Sequence, residues 1–153
     1  MSQGNSKINI RPVTDQERQA WPKDVIVPLE SPFVDPRGAI QPLVDLPMES
    51  CVLIESKKGT VRANHYHKES IQYSYVMSGE MKAYTQLPDG PMESRILGKG
   101  DMLESPPFER HALHAVEDSV LVIITRGPRG GKGYEDDTFR VTPLHLQELD
   151  STS

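Results

Sequence analysis

The chain has 153 residues with a formal net charge of −5, of which 36% are hydrophobic and 25% charged; that length holds one domain with a real core and is too short for two. No apolar run approaches the roughly 18 residues of a membrane span, residues 1–12 lack the apolar centre of a signal peptide, and the acidic balance gives no basis for a nucleic-acid surface. With 13 prolines and 11 glycines interrupting it, the chain is expected to be an all-β cytoplasmic domain of short strands and turns, with neither a nucleic-acid nor a membrane partner.

Residues 1–22 are polar, with a short helical start only at 15–20, and read as an N-terminal arm before a barrel domain over 23–143 and a tail over 144–153. Residues 24–29 alternate loosely, as an edge strand broken by proline would. The Asp35-Pro-Arg-Gly38 sequence is type I turn chemistry leading into a second alternating run over 39–46. Residues 49–56 read as a buried strand. Within it Cys51, which as a lone cysteine excludes an intrachain disulfide, reads as a small buried hydrophobe.

Further strands are expected over 71–77 and 80–87, joined by the turn at Ser78-Gly79, and over 95–97, 102–105, 111–116, 119–125 and 139–144. Spacing near ten residues is that of an antiparallel sandwich or barrel. The glycine-rich stretch 127–133 imitates a phosphate loop only superficially, because Lys132 is followed by Gly133 rather than Ser or Thr. It reads as a surface loop, with a lid at the barrel mouth as the alternative.

The chemistry concentrates in residues 59–79, GTVRANHYHKESIQYSYVMSG. Side chains at i and i+2 leave the same face of a strand, so His65 and His67 can converge inside a barrel as a metal chelate. A third imidazole, His111, follows a Pro-Pro bend after Gly100. His114, three residues further on, falls on the opposite face, and His145 in the tail carries no signal.

These two segments resemble the two signature motifs of the cupin superfamily. Gly59, five residues, His65-x-His67, four residues, Gln72, six residues and Gly79 follow the first; Gly100, five residues, Pro106-x-Phe108, two residues, His111, three residues and Ala115 follow the second. The resemblance implies a cupin double-stranded β-helix, a jelly-roll barrel of two antiparallel sheets. It also implies a divalent transition metal (Zn, Fe, Mn or Ni) held by His65, His67 and His111. Gln72 stands where the family usually places a glutamate ligand, Phe108 replaces a turn glycine and Ala115 an asparagine. A carboxamide is a weaker ligand than a carboxylate and leaves the complex more positive, which suits an anionic substrate. Gln72 is thus a candidate for metal or for substrate; Glu69, in the turn, is the lesser candidate ligand.

A finer likeness, to cupins of sugar-nucleotide and surface-polysaccharide pathways, rests on residues 62–80, 105–119 and the Asp35-Pro-Arg-Gly38 turn. It implies an isomerase or epimerase of a nucleotide-linked keto sugar and a carbohydrate small-molecule substrate. A homodimer is expected separately, because the polar arm and the strand around residues 25–29 can extend a neighbouring sheet and cover an exposed edge. The chemistry would be proton transfer, with His65 or His111 as base and Tyr84, provided it faces inward, as acid. Arg62 and Asn64 are the candidate substrate contacts beside Gln72. A metal-dependent dioxygenase and a non-catalytic sugar- or metabolite-binding cupin are the alternatives.

Overall fold

The structure, a computed structural model, describes residues 25–127 and 135–151. The helical start expected at 15–20 and most of the stretch 127–133 lie outside the described residues. Eleven strands are described: β1 Phe33–Asp35, β2 Gly38–Ile40, β3 Ser50–Ser56, β4 Val61–Tyr66, β5 Ile71–Ser78, β6 Glu80–Gln86, β7 Met92–Gly98, β8 Met102–Ser105, β9 Arg110–Ala115, β10 Ser119–Arg126 and β11 Phe139–Arg140. Helix α1, Leu144–Ser151, follows. No helix among the described residues is long and apolar enough to cross a membrane.

All strand pairs are antiparallel. β1 and β2 form a small hairpin around the turn expected at residues 35–38, where the Asp35 carboxylate accepts the Arg37 amide at 2.8 Å; β2 ends at Ile40, short of the alternating run expected over 39–46. The remaining strands make a four-stranded sheet, β3-β10-β5-β8, and a five-stranded sheet, β11-β4-β9-β6-β7. Side chains of both sheets mix in one core, as the jelly-roll expectation requires. Residues 25–27 make only one bridge, Ile26 to Leu103, but Val25 O accepts the Glu104 amide and Val27 donates to Met102 O, which occupies the outer edge of β8.

The interior has two chemically distinct ends. Reading inward-facing positions, β5 carries Gln72, Ser74 and Val76, β6 Met81, Ala83 and Thr85, and β8 Leu103 and Ser105. β9 carries His111, Leu113 and Ala115, and β10 Leu121, Ile123 and Thr125. Because register aligns Gln72 with Thr125 and Ser105, and Thr85 with His111, the polar members other than Ser74, which lies level with Ile123 and Leu103, fall at the same end. An apolar plug closes the other end, each fully buried Leu or Ile contributing about 1.5–3 kcal/mol.

At the plugged end the β5–β6 turn hinges on Gly79, whose φ is +89°. A Cβ there would overlap Ser119 and the Asp118 carbonyl. The Ser119 hydroxyl instead accepts the Glu80 amide at 3.1 Å, tying the turn to β10.

Cys51 is exposed rather than buried, correcting the sequence expectation. β3 alternates in burial, and the odd positions Cys51, Leu53 and Glu55 face outward. An edge strand of this sheet covers the core with one face only.

Candidate active site

β4 does not run as a regular strand. Val61, Arg62 and Ala63 pair with His114, Leu113 and Ala112, yet His65 pairs with His111, so Asn64 is an extra residue in the ladder. Ala63 and Asn64 both take positive φ, +72° and +54°. Such a bulge shifts the alternation by one. A regular strand would place Arg62 and His65 on opposite faces; the bulge puts both inward, Arg62 beside Leu113 and His65 beside His111.

His65, His67 and His111 are each at least nine-tenths buried, and their candidate donor nitrogens lie within 4.8 Å of one another. Ring centroids are 4.7 Å apart for His65 and His67, 4.8 Å for His65 and His111, and 5.6 Å for His67 and His111. His67 Nδ1 lies 2.8 Å from the Asp137 main-chain oxygen and His111 Nδ1 3.2 Å from that of Glu109. A carbonyl oxygen can only accept, so both Nδ1 atoms carry a hydrogen, and in the neutral ring Nε2 keeps the lone pair. Three imidazoles with two rings oriented this way are a donor set that fits a divalent transition metal.

Gln72 is brought to the same place. It is 3% exposed, its Nε2 donates to Ser74 Oγ at 3.4 Å, and its Oε1 has no hydrogen-bond partner among the described residues. Gln72 and His65 line a cavity of about 180 Å³ with Ile54, Leu121 and Ile123. Arg62 and Arg140 add two cations to that lining. Arg62 is held by Ser56 Oγ at 2.9 Å and the Glu55 carbonyl at 2.8 Å, hydrogen bonds rather than the rim ion pair that its position invites.

Two expected site residues are elsewhere. Tyr84, the candidate acid, faces out from the five-stranded sheet; it pairs with Ala112 and is buried with Ala112 and Leu144 under α1. The inward neighbour on β6 is Thr85, opposite His111. Asn64, the candidate substrate contact, is the bulge residue. Its Oδ1 accepts the Leu144 amide at 2.9 Å and its main-chain oxygen accepts Val141, so it caps α1 instead of entering the cavity. Tyr66 and Tyr73 point away from the histidines, Tyr66 into a stack with Phe139 and Tyr73 toward Glu104. Glu69 is exposed in the turn.

Two acidic residues with no sequence signal support the site. The Asp137 carboxylate, 8% exposed, accepts the amides of Lys68, Glu69 and Ser70 and the Ser70 hydroxyl, shaping the turn after His67. Glu109 has no solvent exposure and lies against His111. Burial pushes its carboxyl well above the usual glutamate range, against the opposing pull of Ser105 and Arg95. Phe108, the residue before it, holds φ at +68°, the left-handed conformation that the pattern's glycine would adopt without strain, and donates its amide to the His67 carbonyl at 2.6 Å.

A family model described as a cupin domain matches residues 52–125. Among solved structures, the chain is similar to QdtA, a sugar 3,4-ketoisomerase from Thermoanaerobacterium thermosaccharolyticum in complex with TDP, at 18% identity over 80% of this chain and 91% of that one, with a TM-score of 0.62. It is similar also to dTDP-4-dehydrorhamnose 3,5-epimerase from Sulfolobus tokodaii, at 19% identity over 77% and 82% of the two chains, with a TM-score of 0.60. RmlC of Legionella pneumophila Philadelphia 1, in complex with dTDP-4-keto-L-rhamnose, aligns at 14% identity over 76% and 72%, with a TM-score of 0.62. No curated protein matches the sequence.

Proposed function

We propose that this chain, whose residues 52–125 match the cupin-domain model, is an isomerase or epimerase of a nucleotide-linked keto sugar, acting by proton transfer at the three-histidine end of the barrel. The observation that carries this reading is the cavity in which His65 and Gln72 meet Arg62 and Arg140. A buried base and amide face two guanidinium groups there, a combination suited to a neutral sugar ring carrying a diphosphate. That sugar isomerases and epimerases share the fold supports this class of substrate.

His65 is the triad member that lines the cavity, and it is the residue assigned to take the proton from the carbon beside the sugar carbonyl. The Gln72 amide, buried at the same wall, orients the carbonyl or hydroxyl of the reacting carbons. Arg62 and Arg140 hold the diphosphate, and Arg62 is preset by its bonds to Ser56 and Glu55. His67 and His111, tied by Nδ1 to main-chain carbonyls, present Nε2 to the cluster; a divalent cation held there would take His65 as its third ligand in place of its role as base. Such a cation supplies Lewis-acid stabilisation of negative charge on the sugar oxygen. Tyr84 takes no part, since it lies on the other side of the sheet.

A second copy of the chain is assigned to the outer face of the four-stranded sheet. Leu53, 65% exposed, and Met77, 44% exposed, stand there among the half-buried Tyr73, Tyr75, Val122 and Ile124.

The test is proton exchange. Purified protein is incubated in D2O with a thymidine-diphosphate-linked 4-keto-6-deoxyhexose and followed by proton NMR. Deuterium entering beside the carbonyl, with appearance of a 3-keto or epimeric product and at least a hundredfold loss of rate in H65N, is the expected result. Tight binding with neither exchange nor product replaces this reading with a binding protein, and oxygen uptake replaces it with an oxygenase.

A further inference from the structure

Glu109 is the most deeply buried acid among the described residues, at 0% exposure, and the mechanism above gives it no role. Its carboxyl oxygens have no well-formed hydrogen bond within the described residues. The contact its carboxyl does make is to His111 Nδ1, at 3.4 Å from Oε1. The main-chain oxygen of the same residue lies 3.2 Å from the same nitrogen. One glutamate thus gives that ring N–H a main-chain acceptor and sets its carboxyl close beside it, outside hydrogen-bond geometry. It is carried at the end of a turn whose Phe108 sits at φ +68°.

A buried acid without strong hydrogen bonds destabilises the fold by a few kcal/mol in general, and a chain that keeps one needs a compensating use for it. Nothing in packing requires it: a leucine or methionine would fill the space without that penalty. The position is informative. Nδ1 is the ring atom opposite Nε2, and electron density given to an imidazole at one nitrogen raises the basicity of the other. His67 Nδ1 faces a main-chain oxygen; His111 Nδ1 faces a main-chain oxygen and lies against a carboxyl group as well.

We infer that Glu109 is a positioning residue for His111: its carboxyl lies against the ring at Nδ1, fixes the ring plane and strengthens His111 Nε2 as a donor to a metal ion. The inference rests on the reading of the three histidines as a metal centre. The Arg95 charge, from β7 of the same sheet, and the Ser105 hydroxyl, from β8 of the facing sheet, both bear on this carboxyl.

The experiment uses the full chain, stripped of metal and titrated with Co2+ against a chromophoric chelator, for the wild type, E109Q and E109D. The apo proteins are melted in parallel. The wild type is expected to bind one equivalent. E109Q, which keeps the main-chain acceptor and the side-chain shape but loses the carboxyl, is expected to bind about 10- to 100-fold more weakly with shifted cobalt absorption bands. Its apo melting temperature should be equal or higher, a pairing that a purely structural residue would not give. E109D should recover part of the affinity.

Equal cobalt affinity and unchanged bands in a folded E109Q overturn the inference and leave the metal centre standing. No cobalt uptake by the wild type overturns the metal centre and this inference with it. If E109Q does not fold, nitrogen-15 NMR of the wild-type apo protein decides. A slowly exchanging, strongly downfield His111 Nδ1–H supports the contact, and an unprotonated Nδ1 refutes it.

Discussion

The main-chain oxygen of Asp137 accepts the Nδ1–H of His67 at 2.8 Å, while the carboxylate of the same residue gathers three consecutive amides at Lys68, Glu69 and Ser70. Residue 137 thereby sets both the ring and the turn that follows it. D137A is expected to cost about 3 kcal/mol, because charge-assisted bonds to buried amides are lost together. D137N, which keeps one acceptor oxygen, should cost about half as much. Urea denaturation measures both, and a D137A protein as stable as wild type would remove Asp137 from the support of the site.

Gln72 presents a buried Oε1 to the cavity wall shared with His65. Replacing the amide by a carboxylate supplies an anionic ligand at the same place, so Q72E should bind Zn2+ at least about tenfold more tightly at neutral pH. Without metal, the variant should be less stable than wild type, because a charge has been buried. Calorimetric titration and apo melting curves test the two halves. Unchanged affinity would mean that the side chain at position 72 faces substrate alone.

Asn64 acts on α1 rather than on the cavity. N64A loses the cap and places alanine at φ +54°, so stability should fall by about 1–2 kcal/mol. The KM for a sugar nucleotide should stay within about twofold of wild type. A KM rise of an order of magnitude with an intact fold would return Asn64 to the substrate contacts.

Glu104 makes pH part of stability. Burial raises its carboxyl above the usual 4.5, opposed by the Tyr73 hydroxyl bond and reinforced by Glu109. The native state therefore binds more protons than the unfolded chain between pH 4.5 and the raised value, and stability falls as pH climbs through that window. Glutamine has no such proton. The melting temperature of E104Q relative to wild type should increase from pH 4 upward and then level off. A gap independent of pH would show that the carboxyl titrates alike in both states.

Leu53 stands 65% exposed on the outer face of β3. An aspartate in its place leaves the core untouched and should shift the protein from dimer to monomer in sedimentation at micromolar concentration, with an unchanged circular dichroism spectrum. A wild type that sediments as a monomer removes the second copy from the assembly.

The barrel and its histidines were legible in the sequence because they rest on local rules. His65 and His67 are two apart, Gly79 sits where a side chain would meet Ser119, and turn residues mark strand ends. What was hidden depends on register. The bulge at Ala63 and Asn64 has no glycine to announce it, so Arg62 and Asn64 could not be given faces. Tyr84 reads equally well inward or outward until β9 fixes its partner as Ala112. Asp137 meets its amides across nearly seventy positions, a contact that no periodicity encodes. Glu109 stands two residues before His111, but it precedes β9, and its burial is set by the turn through Phe108 rather than by strand alternation.

The segregation of the barrel interior, polar residues at one end of β5, β6, β8, β9 and β10 and apolar ones at the other, bears on how such a chain can change over evolutionary time. Because the plug of Val76, Met81, Leu97, Leu113, Leu121 and Ile123 carries most of the burial, new residues at positions 72, 85, 105, 111 and 125 alter chemistry without emptying the core. Several of them would even relieve a penalty that the present site imposes. A fold wired this way can trade one reaction for another while remaining folded throughout, which makes the histidine end the natural place to install a new activity by directed evolution.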